Sequence, residues 1–206
     1  MAAASVIIFA VKPQEMEILL KQVPVGKNKL FISIAAGLTT KFFEKHLGGK
    51  QRVVRAMPNM PALIGEGITG VCAGQYAKGA DLKLAESLLG SIGQTVIVKE
   101  SMIDAVTAVS GSGPAYVFLF VEQWINAAIK LGFDQAQAKQ LVYKTLLGSA
   151  HLLEKSQFNA GELRVKVTSK GGTTQAALEV FSQKKFDQLI YKALLAAKKR
   201  AKELAQ

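Results

Sequence analysis

Residues 5–13, SVIIFAVKP, decide the class of fold. The stretch Ser5–Val11 is continuously apolar and rich in β-branched side chains, which is typical of a strand buried on both faces of a sheet. Such strands belong to parallel sheets whose faces are covered by helices, and each pairs with neighbours on its two sides. We therefore expect an α/β fold in which this strand has partners.

The rest of the first half alternates strands and helices. Helices are predicted at 14–22, at KFFEKHL (41–47), with Thr39 or Thr40 as its cap, and through DLKLAESLLGSIG (81–93). Further strands are predicted at 30–36, 52–57, 69–73 and 95–98. This alternation favours a sheet with parallel strands at its centre. Ligands of such sheets bind beyond the carboxyl ends of the strands, which places VKP (11–13), AAG (35–37) and MPN (57–59) around one crevice.

From Glu100 onward the strand signals stop and the pattern becomes helical. Pro114 suits the first turn of a long helix ending near Gly132, while Asp134 and Asn159 suit the caps of two further helices. Two more helices are predicted, at 174–182 and 186–204. Several are apolar over much of their circumference, as in YVFLFV (116–121), so they have to be buried. We expect obligate dimerisation; a compact monomeric bundle is the alternative.

Composition narrows the classes of partner. A net charge of +11 suits anionic partners, but the basic run KKRAKEL (198–204) is better explained as a solvated helix face than as a nucleic-acid site. No stretch approaches the length of a membrane span, so a membrane partner is not expected. Cys72 is interpreted as a small core residue, and a single cysteine fits a reducing, cytoplasmic compartment. His46 and His151 are isolated, which disfavours a metal site.

Three glycine-rich stretches are candidates for ligand binding. GEGITG (65–70) fits the dinucleotide pattern, but it leads into a strand rather than a helix, so we interpret it as a bend between strands. VTSKGGTTQAALEVF (167–181) places glycines and hydroxyls before a helix; this suits either a carboxylate site or a capped turn. SGSGPAY (110–116) fits either a ligand or the close packing of two helices.

Several motifs in order resemble those of pyrroline-5-carboxylate reductases. They are VIIFAVKPQ (6–14), AAGLTT (35–40), VVRAMPNMPALIGEGITGVCAG (53–74), IDAVTAVSGSGPAYVFLFVE (103–122) and LRVKVTSKGGTTQAALEVF (163–181). The resemblance covers nearly the whole chain. It implies reduction of Δ1-pyrroline-5-carboxylate to L-proline with NADPH or NADH, the last step of proline biosynthesis. It also implies a Rossmann-like domain over 1–99 and an all-helical dimerisation and substrate-binding domain over 100–206, in a homodimer or higher homo-oligomer.

The resemblance also implies roles for individual residues. Thr107 would lie near the ring nitrogen of the substrate, and Glu100 would assist at the substrate site. The substrate carboxylate would be held by Ser169, Gly172, Thr173 and Thr174. The cofactor crevice would be lined by Val11, Lys12, Pro13, Ala36, Met57, Pro58 and Asn59.

The chain departs from the family pattern in three ways. Lys170 stands where proline is usual, and Met60, where threonine is common, is interpreted as a packing change. Members of the family also have a strand, a glycine-rich phosphate loop, a helix and a further strand before VIIFAVKP. The resemblance therefore implies a chain truncated at its N-terminus, with the missing first strand as the partner of Ser5–Val11, and hence weak NADPH binding.

Two alternative hypotheses about function remain. In the first, the chain is an inactive subunit that oligomerises through its helical half. A reductase of the hydroxyacid or phosphogluconate type is disfavoured, because its lysine-bearing helix motif is absent and because SKGGTT (169–174) favours the imine reductase.

Overall fold

The structure, a computed structural model, describes residues 4–23 and 28–204. The chain forms two compact units. One comprises the described residues of Met1–Pro114 together with those of Ala193–Gln206, and the other is Ala115–Lys192. The family resemblance places the domain boundary between residues 99 and 100, and this boundary stays a prediction. The compact units of the structure divide at Pro114.

The first unit is built on a five-stranded mixed sheet in the order β1-β2-β3-β4-β5. The strands are β1 (Val6–Phe9), β2 (Leu30–Ser33), β3 (Arg52–Met57), β4 (Gly67–Ala73) and β5 (Gly93–Ile97). Strands β1, β2 and β3 are mutually parallel, as expected from their buried apolar sequences. Within the described residues β1 pairs with β2 alone, so it forms one edge of this sheet.

Strand β4 runs antiparallel to β3, with Arg55 opposite Cys72 and Met57 opposite Gly70. The prediction of parallel strands therefore holds for β1 to β3, while β4 and β5 run in the opposite direction. The link between β3 and β4 holds only a short 3₁₀ turn, Met60–Ile64, and a parallel connection needs a longer crossover. Strand β5 is again parallel to β4, after a helical crossover.

Three helices cover the two faces of the sheet. They are α1 (Pro13–Leu20), α2 (Thr40–His46) and α3 (Gly79–Leu89). Helices α1 and α2 share one core with Phe9, which stacks between Phe31 and Phe43 at ring-centroid distances of 5.8 and 5.5 Å. Helix α3 packs on the opposite face through Ala85 and Leu89. These two apolar layers hold the strands in the register that positions their carboxyl ends.

A helical run follows the sheet. It consists of a 3₁₀ turn (Glu100–Met102), α4 (Ile103–Val106) and a π-helical turn (Thr107–Gly111). The sequence predicts a glycine–serine turn near residue 110, whereas the chain there completes a π turn and enters the next helix directly. Val106 packs on Gly70 of β4; a Cβ added at Gly70 would lie 2.6 Å from Cγ1 of Val106. The absent side chain lets the run lie against the sheet.

Five helices complete the chain. They are α5 (Gly113–Lys130), α6 (Gln135–Lys155), α7 (Ala160–Val167), α8 (Thr173–Gln183) and α9 (Phe186–Leu204). The predicted caps are confirmed. The side chain of Asp134 accepts from Gln137 N at 2.8 Å, and that of Asn159 accepts from Glu162 N at 3.0 Å. Helices α5 and α6 pack through a small core of Val121, Ile125, Ala128, Ala138 and Val142.

Much apolar side-chain surface on these helices is exposed in the single chain. The exposed residues on α5 include Val117, Phe118, Leu119 and Phe120. Among the described residues the helical run Glu100–Lys130 is also long and apolar enough, on length and composition, to cross a membrane. The expectation that no stretch approaches this length was therefore wrong. An apolar face meant for packing against another helix produces the same composition.

The contact between Gly70 and Val106 gives a test of this packing. Gly70→Ala should lower the free energy of unfolding by about 1–3 kcal/mol, because the added methyl group overlaps Val106 in a close-packed layer. Gly79→Ala is the matched control, since a Cβ there meets nothing within 4 Å. Urea unfolding should give a wild-type free energy of unfolding for Gly79→Ala and a lower one for Gly70→Ala. Adding Val106→Ala to Gly70→Ala should restore part of the loss. Equal stability of the two alanine variants would contradict this packing.

Candidate functional site

The three segments predicted around a crevice lie at one edge of the sheet. Because β1, β2 and β3 are parallel, the chain leaves all three at the same edge. The candidate cofactor residues there are half-buried, apart from the exposed Lys12; they are Val11, Lys12, Pro13, Ala36, Met57, Pro58 and Asn59. Their proximity follows from the topology, while their contact with a cofactor stays a prediction.

Asn59 has a structural partner at this edge. Its Oδ1 accepts from the backbone N–H of Ile68 at 2.9 Å, which ties the end of β3 to the start of β4. Between them, Gly65 adopts the left-handed conformation with φ 78° and ends the 3₁₀ turn. The interpretation of GEGITG as a bend between strands is confirmed, since β4 begins at Gly67.

Glu100 connects the helical run to the start of α2. Its Oε1 accepts from Thr40 N at 2.7 Å and its Oε2 accepts from Thr40 Oγ1 at 2.8 Å. The side chain of Thr39, the N-cap, accepts from Phe42 N at 3.1 Å. Two N–H groups in the first turn of α2 therefore already have acceptors. The substrate contact predicted for Glu100 stays a prediction, while its bonds to Thr40 are a structural role that the sequence did not indicate.

Arg55 is the buried cation that Glu100 also faces. Its side chain is 3 % exposed, with Nη1 3.7 Å from Glu100 Oε1 and Nη2 3.5 Å from Asp104 Oδ1. Removing a guanidinium from water is costly unless carboxylates compensate, so this pair of acids is required by the fold. The signal was present in RVVRAM (52–57): an arginine inside a buried strand requires acidic partners, and Glu100 and Asp104 are spaced as neighbours on a helix.

Cys72 lies opposite Arg55 in the sheet and is 1 % exposed. Burial raises the pKa of its thiol to about 12; the charge of Glu100 adds to this and Arg55 opposes it. A thiol with such a pKa is almost entirely protonated near neutral pH and is a poor nucleophile. The interpretation of Cys72 as a core residue is confirmed.

Thr107 begins the π turn, and its hydroxyl is already oriented. Its Oγ1 donates to the carbonyl of Ile103 at 2.9 Å, so the oxygen lone pairs remain free to accept a proton donor. The same turn meets the sheet edge at Gly111, where an added Cβ would lie 2.9 Å from Cε of Met57 and 3.6 Å from Cγ2 of Thr107. The structure thus brings the π turn beside one of the predicted crevice residues. Short π segments frequently occur at functional sites.

In the second unit, the predicted carboxylate loop is a tight turn in front of α8. Gly172 N donates to Ser169 O at 3.0 Å, and Gly171 has φ +70°, which an L side chain rarely adopts. Gly172 is the N-cap of α8 and has no side chain that could cap the helix. The loop therefore presents the hydroxyls of Ser169, Thr173 and Thr174 beside a helix start whose N-cap provides no side-chain acceptor.

Comparison with known proteins identifies the family. A family model described as pyrroline-5-carboxylate reductase dimerisation matches residues 100–204, just over half of the chain. A pyrroline-5-carboxylate reductase from Haemophilus influenzae is 42% identical over 205 residues, covering 98% of this chain and 76% of the relative. This chain belongs to the pyrroline-5-carboxylate reductase family.

Solved structures of the family agree with the fold. A pyrroline-5-carboxylate reductase from Coxiella burnetii superposes with a TM-score of 0.92 at 39% identity, covering 99% of this chain and 77% of that one. A pyrroline carboxylate reductase from Plasmodium falciparum, solved with NADP bound, gives a TM-score of 0.91 at 33% identity, with 98% and 78% covered. The dimerisation model supports homo-oligomerisation through the helical residues, in line with the prediction. The chain thus spans about three quarters of the length of these reductases.

The structure gives physical context to two departures from the family pattern. Lys170 occupies the second position of the turn closed by Ser169 and Gly172, with Gly171 at the third. A positive φ at the third position is typical of a type II turn, whose second position favours proline, so the usual proline of the reductases fits this loop. Met60 begins the 3₁₀ turn and is exposed, so its interpretation as a packing change is wrong.

The buried thiol predicts how stability depends on pH. Below about pH 9 both the folded and the unfolded chain keep the proton of Cys72, and between about pH 9 and 12 only the folded chain keeps it. The free energy of unfolding should therefore fall as pH rises through this window, by up to about 1.4 kcal/mol per pH unit from this group. Urea unfolding from about pH 8 to 10.5 should show a steeper loss in the wild type than in Cys72→Ala. Equal slopes would contradict the raised pKa.

Proposed function

We propose that this chain serves the reduction of Δ1-pyrroline-5-carboxylate to L-proline by NAD(P)H. The observation that carries the proposal is the start of α8, where a turn rich in glycine and hydroxyl groups leads into a helix with no side-chain cap. The N-terminus of a helix attracts an anion through its free N–H groups and its dipole. A carboxylate is the anionic group of this substrate, and relatives along 98% of the chain are named pyrroline-5-carboxylate reductases.

The proposal gives two separate roles: the loop before α8 binds a substrate carboxylate, and Thr107 accepts from the ring nitrogen, as the family resemblance implies. The hydroxyl groups of Ser169, Thr173 and Thr174 and the backbone around Gly172 are neutral donors, so they bind the carboxylate without an ion pair. The protonated imine carries an N–H group that needs an acceptor. Thr107 suits that role because its own hydrogen is donated to Ile103, which leaves its lone pairs available.

The sheet edge fits the nicotinamide end of the cofactor. The residues after β1, β2 and β3 are half-buried and mostly uncharged, and Gly111 leaves room for Met57 beside them. The fit does not extend to the diphosphate. At this edge no described turn from a strand into a helix carries more than one glycine, and the first turn of α2 already bonds Glu100 and Thr39. Among the residues predicted to line the crevice, Lys12 is the charged one, and it is exposed.

When bound, the reduced nicotinamide supplies a hydride to carbon 5 of the imine, and the electrons of the C=N bond move to nitrogen. The residues of this chain bind and orient the substrate for that transfer. In this proposal the imine nitrogen takes its proton from solvent, because the Thr107 hydroxyl already donates to Ile103 and because burial raises the pKa of the Cys72 thiol to about 12, which makes it a poor acid.

We further propose that the chain acts as a homodimer built by its helical half. The exposed apolar side chains of α5 have to be buried against another surface. They lie within residues 100–204, which match the family model for dimerisation. The lack of a diphosphate turn among the described edge residues favours a second candidate function. In that case the chain is an oligomerising subunit without turnover of its own.

A two-part experiment separates these functions. Calorimetry with the purified chain should detect L-proline binding, and NADPH with pyrroline-5-carboxylate should be consumed more slowly than by the Haemophilus influenzae relative. Slow turnover is expected because the described residues of the sheet edge provide no glycine-rich turn for the diphosphate. Binding of neither proline nor substrate would contradict the proposed reaction. A stable dimer in sedimentation with that outcome would support the oligomerising subunit.

Thr107 gives a sharper test of the mechanism. Thr107→Val keeps the shape but removes the acceptor, so kcat/KM for pyrroline-5-carboxylate should fall about 10- to 100-fold, the size of a hydrogen bond to a charged group. Thr107→Ser keeps the hydroxyl and should stay within a few-fold of wild type. Thr145→Val is the control, since Thr145 makes the same bond to the carbonyl of Leu141 on α6, at 2.8 Å. Equal activity of both valine variants would rule out the acceptor role.

A further inference from the structure

Gln175 bridges the carboxylate loop and the second turn of α8. Its Oε1 accepts from Gly171 N at 2.8 Å, and its Nε2 donates to Glu179 Oε1 at 2.9 Å. Gly171 is the loop residue with positive φ, the conformation on which the turn depends. Gln175 therefore holds the one loop residue whose backbone geometry is demanding.

The two neighbours of the amide also fix its orientation. A backbone N–H group can only donate, and a carboxylate can only accept, so only one placement of the amide oxygen and nitrogen satisfies both. Glu179 thus acts through Gln175, keeping the amide oxygen directed at Gly171. Serine, alanine or a hydrophobic residue at position 175 lacks the reach or the groups to make both bonds.

This bridge leaves the start of α8 open to an anion. A glutamine at the third helical position commonly caps the helix by accepting from the N-cap residue itself. Here its oxygen bonds Gly171 instead, one residue before the N-cap Gly172. The bridge is also uncharged, so the negative charge of Glu179 stays a further helical turn away from the N–H groups that would meet a carboxylate.

We infer that Gln175, oriented by Glu179, is a positioning residue that shapes the loop for the substrate carboxylate; the inference rests on the proposed function. Its contacts lie near the surface: Gln175 is half-buried and Glu179 is exposed. Hydrogen bonds of that kind contribute little to global stability. Their effect is therefore expected in ligand binding rather than in the free energy of unfolding.

Three variants of the full chain test this inference. Gln175→Ala removes the bond to Gly171, and Gln175→Glu can keep that bond while placing a charge beside the carboxylate and facing Glu179. Gln183→Ala is the matched control, an exposed glutamine at the end of the same helix. In calorimetry the Kd for L-proline should rise about tenfold for Gln175→Ala and about a hundredfold for Gln175→Glu. The wild type should bind L-proline, and the Kd of the Gln183→Ala control should stay within about twofold of the wild-type Kd.

Two further readouts separate positioning from general damage. KM for pyrroline-5-carboxylate should rise with the Kd while kcat stays within about threefold, because Gln175 contacts the loop and not the reacting atoms. L-prolinamide lacks the carboxylate charge, so its affinities for Gln175→Glu and wild type should be nearly equal.

The outcomes are distinct. If the wild type binds proline and Gln175→Ala has the same Kd as Gln183→Ala, this inference is overturned and the proposed function stands. Equal losses of proline and prolinamide binding, or a loss confined to kcat, would also overturn it by indicating a structural defect. Wild type that neither binds proline nor reduces the imine would overturn both proposals together.

Discussion

The burial of one guanidinium organises the first unit. Arg55 lies in the middle of β3 with a side chain that is 3 % exposed, and its only compensation by acids among the described residues is Glu100 and Asp104. An uncompensated buried charge costs several kcal/mol, so the segment carrying these acids is held against the sheet. That segment continues into α4 and the π turn. The positions of Val106 on Gly70 and of Gly111 on Met57 are consistent with the same docking.

Local sequence signals predicted most of the elements and their ends. Caps worked because they are local: Asp134, Asn159 and Thr39 each bond a backbone N–H three residues on, so residue type and spacing suffice. The common edge for VKP, AAG and MPN was also predictable, since three continuous apolar strands separated by helices imply parallel order. The glycine-rich stretch at 65–70 was rejected as a cofactor loop by the strand that follows it.

The features that the sequence did not predict depend on chain direction, tertiary packing and backbone conformation, which residue type and spacing do not report. The direction of β4 is set by the short link from β3, and neither strand sequence encodes direction. The sequence predicts a glycine–serine turn in SGSGPAY (110–116) and gives no sign of the π turn at Thr107–Gly111, because serine and glycine lower helix propensity when tertiary packing is ignored. The partners of Glu100 lie 45 and 60 residues away in sequence, at Arg55 and Thr40. Likewise, the bond from Gly171 to Gln175 depends on a backbone conformation at Gly171 that composition does not report.

The pairing of Arg55 with acids that follow the sheet in sequence also orders events during synthesis. Strands β1 to β5 are complete by Ile97, yet at that point of translation Glu100 and Asp104 have not been made. Until they emerge from the ribosome, the face of β3 that carries Arg55 stays hydrated, and Gly70 has no Val106 to cover it. The sheet can then collapse through the phenylalanine layer on α1 and α2 and through the layer under α3, but the part that carries Arg55 stays uncovered. The packing of residues 100–111 against the sheet is therefore a late, long-range step of folding, and this segment carries Thr107.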